Sequence, residues 1–220
     1  MTDAFAQSTL HAATLRIQGA VSATADRLTE TLALGTPPPG SSRQALTALQ
    51  LELRRKLPGF NLEFANALRE KIQAETLPRS DSGRGGLSTT SWESLTLVDD
   101  AEVDERVSAE RLSMEIAHEC EWELRELDGY VGAILSGKPD PERNPLRTEG
   151  VATALVRAIK LVSPEAEDRK LLVREFGRAL APAMRSCYAE IVAELRAKGV
   201  RAATLAVRTT QGPGNDLPRE

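Results

Sequence analysis

Residues 94–112 read SLTLVDDAEVDERVSAERL, and this stretch decides between an α/β fold and an all-α fold. Its first half is a short apolar run ending in Asp99 and Asp100, like the acidic strand end of a response-regulator receiver domain. With Lys138, which precedes a proline, the two aspartates would form the magnesium-dependent phosphorylation site of such a domain. Its second half places carboxylates in the first turn of a helix, where the helix dipole favours negative charge.

The rest of the chain excludes a receiver domain. A receiver alternates strands and helices, whereas three long helical patterns and no strand pattern follow Asp100. Only 38 residues separate Asp99 from Lys138, which leaves no room for a strand carrying the phosphorylated aspartate. We therefore predict that Asp99 or Asp100 is the N-cap of a helix that runs to about Ser136, because an Asp side chain accepts from the free amides of a first turn.

Composition favours helices throughout. Only 4% of the 220 residues are aromatic, while the strong helix formers Ala, Leu, Glu and Arg are abundant. The predicted fold is an all-α bundle of long amphipathic helices, with a flexible Gly/Ser linker near 78–92 and a frayed C-terminal tail. We predict a loosely attached N-terminal helix over 1–36, a helical hairpin or kinked helix over 43–77, the main bundle over 93–205, and a disordered tail over 206–220.

The N-terminal helix carries a narrow, heptad-spaced apolar stripe and is followed by the proline-rich linker 36–42. Such a stripe suits side-by-side pairing with another helix, so we expect this helix to self-associate or to bind a partner. The stripe consists of Leu10, Ile17, Val21, Leu28 and Leu32.

Prolines and caps set the other predicted boundaries. Pro58 interrupts the pattern of 43–77, since proline removes a helical hydrogen bond. Asn144 before Pro145 is a helix-start signal, and Ser163 before Pro164 is a second one. The last helix ends at Gly199.

The helix that follows Asp100 carries two apolar stripes, which we expect to form one broad buried face contacting more than one neighbour. The first stripe is Val103, Val107, Met114, Ala117, Leu124, Val131 and Leu135; the second is Leu112, Ile116, Cys120, Leu127 and Ile134.

Charge is distributed unevenly along the chain. Residues 93–142 carry 15 acidic and 4 basic side chains, which indicates either a solvated face that also packs on basic neighbours or a docking surface for a basic partner. This segment would repel nucleic acid, and no long basic cluster compensates for it. Two separated cysteines, no secretory signal and no membrane-length apolar run predict a cytoplasmic protein that binds neither nucleic acid nor a membrane.

Two possible ligand sites are disfavoured by spacing. Successive residues of a helix point about 100° apart, so His118 and Cys120, two positions apart, do not face the same metal ion. No further ligand is evident, and we expect no metal there. Arg143 and Arg147 have the R-x-x-x-R spacing with which PilZ domains bind cyclic di-GMP, but the β-barrel and the partner motif are missing. The sequence therefore predicts no catalytic, cofactor-binding or metal-binding residues.

Three segments carry a resemblance to a known family: LRRKLPGFNLEFANAL at 53–68, SLTLVDDAEVDERVSAERL at 94–112, and NPL at 144–146. In this order they resemble the uncharacterised proteobacterial domain-of-unknown-function family 1631, over roughly 43–205. Members of that family usually have Gly-Pro after NPL, where this chain has Arg147 and Thr148. The resemblance implies the N-terminal helical part of a longer protein, supplies no catalytic residues, and makes a link to cyclic di-GMP conceivable.

From these observations we expect a non-enzymatic, cytoplasmic regulatory or scaffolding module that acts through contacts with an unknown protein partner and uses no cofactor. The alternative is a nucleotide-sensing protein linked to cyclic di-GMP. Converging arginines in an apolar pocket would favour the sensor, whereas an exposed apolar row would favour the interaction module.

Overall fold

The computed structural model describes residues 3–35, 42–76, 100–135 and 144–202. These ranges contain six α-helices and a short 3₁₀ turn, and no strand, so the all-α prediction is confirmed. The elements are α1 (Asp3–Thr31), the 3₁₀ turn (Leu32–Leu34), α2 (Arg43–Thr76), α3 (Asp100–Glu119), α4 (Glu121–Leu135), α5 (Thr148–Val162) and α6 (Ala166–Ala197). The predicted linker 78–92 and tail 206–220 lie outside the described residues.

The helices close into a ring around one apolar core. Helix α2 packs against α1 and α5, α3 packs against α5 and α6, and α1 returns to α6, while α4 packs on α6. Across the ring, Phe60 of α2 stacks on Phe176 of α6 with ring centroids 5.2 Å apart, and both rings are fully buried. Helix α5 is the most apolar element and buries residues on nearly every side, as expected for a helix with helices on both flanks.

The N-terminal helix differs from the loosely attached element that its narrow stripe predicted. Ile17 and Val21 are fully buried, and Arg16 forms ion pairs with Glu190 at 2.9 Å and Glu194 at 2.8 Å on α6. The physical reason is the small residues beside the stripe, which are buried as well and widen the contact surface: Ala13, Thr14, Thr24 and Ala25.

Helix α2 is one continuous helix of 34 residues that contains Pro58, so of the two predicted forms, a helical hairpin or a kinked helix, the hairpin is absent. Pro58 lies on the exposed face, where its ring faces solvent and the backbone group it leaves unpaired is accessible to water.

The helix predicted from Asp100 to Ser136 is interrupted once, at Cys120. Hydrogen bonds still cross this position, from Cys120 N to Ile116 O at 3.0 Å and from Leu124 N to Cys120 O at 2.9 Å. The side chains of Asp99 and Asp100 lie outside the described residues, so the proposed cap stays a prediction.

The signals at the later helix ends have mixed outcomes. Helix α5 begins at Thr148 and not at Asn144, because the Asn144 Oδ1 atom accepts from Leu146 N at 2.9 Å in a turn and its Nδ2 donates to Asp128 at 2.6 Å. The predicted end at Gly199 is confirmed. Gly199 has φ 74°, and the bonds from its own amide and from the Val200 amide back to the last turn form a Schellman motif.

Candidate functional site

The first stripe is exposed in α3, contrary to the expectation of one broad buried face, whereas in α4 its residue Val131 is buried and Leu124 and Leu135 pack against the core. Val103 is 45% exposed, Val107 50% and Met114 66%, and Trp122 at the start of α4 is 71% exposed. We call these four residues the outer row. The second stripe is buried as predicted: Leu112, Ile116, Cys120, Leu127 and Ile134 all belong to the core. Helix α3 thus has one face in the core and an apolar face in solvent.

Trp122 is the residue of this surface that periodicity missed. It belongs to neither stripe, and a tryptophan outside every core-facing stripe is a signal of exposure that the sequence contained. The Arg125 guanidinium lies 5.2 Å from the centroid of the indole ring, and Arg125 also pairs with Glu121 at 3.0 Å. The indole is therefore positioned by a cation–π contact while most of its surface stays accessible.

The acidic residues on the flanks of α3 and α4 pair with basic residues of α5 and α6. Glu105 lies 2.7 Å from Lys160, and Asp104 lies 3.4 Å from Lys170. Further along, Arg185 pairs with Glu123 at 3.2 Å and with Glu119 at 3.6 Å. These contacts account for much of the acidic segment by complementary packing, which was one of the two interpretations of its charge.

Grooves flank α3 on both sides. A groove of about 800 Å³ lies between α2, α3 and α5, and another of about 520 Å³ lies between α3, α6 and the start of α2. The floor of the larger groove includes Ala109 and Val156, and its walls carry both charge signs, with Arg157 held by Glu63 and by Glu70 at 2.7 Å. Both arginines of the groove are already paired, Arg157 with α2 and Arg106 with Glu110, so the groove does not present converging free arginines.

The residues considered for metal binding do not meet. His118 is exposed, whereas Cys120 is fully buried with its Sγ 3.7 Å from the Ala181 carbonyl oxygen. Burial raises the pKa of Cys120 and of Cys187 to about 12. Within the part of the chain that the structure describes, no three His, Cys, Asp or Glu side chains are grouped to hold a metal ion.

Of the residues considered for phosphate binding, the structure describes Arg147, whose guanidinium is engaged in ion pairs. Arg147 pairs with Glu75 at 3.3 Å and with Glu149 at 3.7 Å, which ties α2 to the start of α5. Arg143 and Lys138 lie outside the described residues. No helix in the described ranges is long and apolar enough to cross a membrane.

Comparison with known proteins assigns the family. The family model described as "Protein of unknown function (DUF1631) N-terminal domain" matches residues 3–199, and the chain therefore belongs to this family. The match includes α1, which corrects the sequence-based estimate that the resemblance begins near residue 43. No curated protein and no solved structure matches the chain.

Proposed function

We propose that this member of the DUF1631 family is a non-enzymatic regulatory or scaffolding module that acts in the cytoplasm through protein contacts. The observation that carries the proposal is the outer row of α3 and α4, where four large apolar side chains are 45–71% exposed. Rows of exposed apolar residues on a folded domain mark interaction surfaces.

The composition of the outer row supports this proposal. Trp and Met are enriched where proteins bind one another, and Trp is among the residues that contribute most to binding energy. Trp122 is accessible and is held in place by Arg125, so it loses little side-chain entropy on binding. Met114 offers a flexible apolar surface that adapts to a partner.

The state of the nucleophilic side chains also favours binding over covalent catalysis. A thiol attacks as its thiolate, and the pKa of about 12 at both Cys120 and Cys187 keeps them protonated at neutral pH. For the cyclic di-GMP alternative, the pairing of Arg147 with Glu75 occupies the guanidinium that would bind phosphate.

A capture experiment from an extract of the source organism tests the proposal. Purified protein is immobilised and the bound proteins are identified by mass spectrometry, for the wild type, for Trp122→Ala combined with Met114→Glu, and for Leu51→Glu as control. Leu51 is 61% exposed on α2, which makes it a matched surface change outside the outer row. We expect specific partners to be lost only with the outer-row variant. Capture of the same proteins by all three chains would contradict the proposal.

A further inference from the structure

The α3 part of the outer row forms a ridge. At 100° per residue, Val103, Val107 and Met114 fall within about 40° of one another on the helix. Grooves of about 800 Å³ and about 520 Å³ run along the two sides of this helix. A helix that meets the ridge face to face can bury all three side chains without a rearrangement of the core.

The charged residues beside the ridge follow a specific order. On one edge, in chain order, lie Arg106 and Glu110; on the other edge lie Asp104 and Arg111. The side chains of Arg106, Glu110 and Asp104 are 83%, 61% and 62% exposed, and Arg111 is exposed as well. Each edge thus carries one base and one acid, about one to two helical turns apart.

This order is self-complementary for an antiparallel pair. In a twofold-symmetric antiparallel pair, each edge of one helix meets the same edge of the other in reverse order. Arg106 then lies opposite Glu110 of a second copy, and Asp104 lies opposite Arg111 of that copy. Both pairings place the twofold axis within one residue of Ser108, which is ~1.5 Å along the helix.

The apolar residues place the axis at the same position. An axis near Ser108 sets Val103 opposite Met114 of the second copy and sets Val107 close to its own counterpart. A parallel twofold pair would instead bring opposite edges together, with Glu110 near Arg111 and Arg106 near Asp104 of the second copy, offset by one and two residues. Opposite charges therefore meet in either orientation, and the antiparallel register near Ser108 is the one that pairs Arg106 with Glu110 without an offset and sets the apolar residues against one another.

We infer that the ridge formed by Val103, Val107 and Met114 is a self-association surface, on which two copies of this chain pair through antiparallel α3 helices. The inference rests on the proposed function, because it names a second copy as one occupant of the outer row. Trp122 lies outside the paired region, about nine residues beyond Val103 of the facing helix, and it remains open to a further protein.

Sedimentation velocity on the purified full chain tests the pairing. We expect a reversible dimer whose dissociation constant rises at least ~10-fold with Val107→Glu and with Met114→Glu, while Leu51→Glu stays within ~2-fold of the wild type. Circular dichroism checks that each variant is folded. We also expect Arg106→Glu to weaken the dimer and a second change, Glu110→Arg, to restore it. A monomer at all concentrations, or a dimer insensitive to both ridge variants, would overturn the inference.

Oxidative cross-linking of introduced cysteines tests the orientation. A disulfide needs Cα atoms within ~7 Å, so Val107→Cys beside the axis should give a cross-linked dimer. Val103→Cys alone should not, because two such sites lie ~15 Å apart along the antiparallel pair, whereas the double variant with Met114→Cys should. Self-cross-linking of Val103→Cys would indicate a parallel pair and overturn the arrangement. A monomeric chain whose outer row still captures a different protein would refute self-association and leave the proposed function standing.

Discussion

Replacing Ile17 by alanine is the most direct test of how α1 contributes to the fold. Ile17 is fully buried, and α1 packs against both α2 and α6. Truncation of a buried isoleucine to alanine costs ~2–5 kcal/mol, since it loses both apolar burial and packing contacts. Typical domains are stable by only ~5–15 kcal/mol, so we expect Ile17→Ala to remove a large part of the free energy of unfolding, about 3 kcal/mol.

Urea unfolding followed by circular dichroism measures this change. With a slope of ~2 kcal/mol per molar urea, a loss of about 3 kcal/mol lowers the midpoint by ~1.5 M. The matched control is Leu15→Ala, two residues away on the same helix, because Leu15 is 52% exposed and should change stability by less than ~0.5 kcal/mol.

A loosely attached α1 would give a different result. Ile17→Ala would then match its control, or α1 would melt in a separate early transition, and either result would refute the packing argument. Deleting residues 1–36 is the stronger form of the test. It removes a whole buried face of the ring, and we expect loss of the cooperative transition of the remaining helices.

Three further changes follow from the described contacts. Cys120 and Cys187, with pKa values of about 12, should resist alkylation of the native chain at pH 8, where only ~1 in 10,000 thiols is ionised, and both should react in denaturant; native labelling would contradict their burial. Gly199→Ala, at φ 74°, should cost ~1–2 kcal/mol, whereas Gly59→Ala inside α2 should stabilise by ~0.5–1 kcal/mol, as thermal unfolding would measure; equal shifts would contradict the left-handed cap. Burial raises the pKa of Asp128, and the bond from Asn144 opposes this. Because the pKa of Asp128 is higher in the folded than in the unfolded chain, its contribution to stability falls as the pH rises through the interval between the two values. The free energy of unfolding of Asp128→Asn should therefore increase relative to that of the wild type over this interval, as urea titrations from about pH 3 to 7 would measure. A difference that stays constant with pH would contradict this.

The helices and their ends could be predicted from the sequence where neighbouring residues determine them. The Gly199 end follows from one residue that tolerates a positive φ, and the buried second stripe from Leu112 to Ile134 follows from regular spacing. The start of α5 was misplaced because Asn144 binds Asp128, a residue 16 positions earlier. A partner that distant decides whether an Asn side chain caps a helix or holds a turn, and a local pattern does not contain it.

The candidate site was harder to predict from the sequence, for a related reason. Periodicity identifies residues that share a face, but not whether that face meets another helix or solvent. The stripe of α1 is narrow and buried because small residues such as Ala13 and Ala25 let α2 and α6 approach closely. The α3 part of the first stripe stays exposed, because α5 and α6 already occupy the opposite side of the helix.

The charges distinguish these two apolar faces better than hydrophobicity does. Beside the α1 stripe, Arg16 pairs with Glu190 and Glu194 of another helix in the same chain, so the ionic contacts fasten α1 to the core. Beside the ridge of α3, Arg106 pairs only with Glu110 of its own helix at 3.2 Å, among the ion pairs of the described residues. Such an exposed pair contributes little to the stability of the monomer, and in the antiparallel register both of its members gain a second opposite charge. An apolar face with an edge such as Arg106 and Glu110, whose ion pair bridges to no other helix of the fold, is therefore the place at which a second molecule is expected.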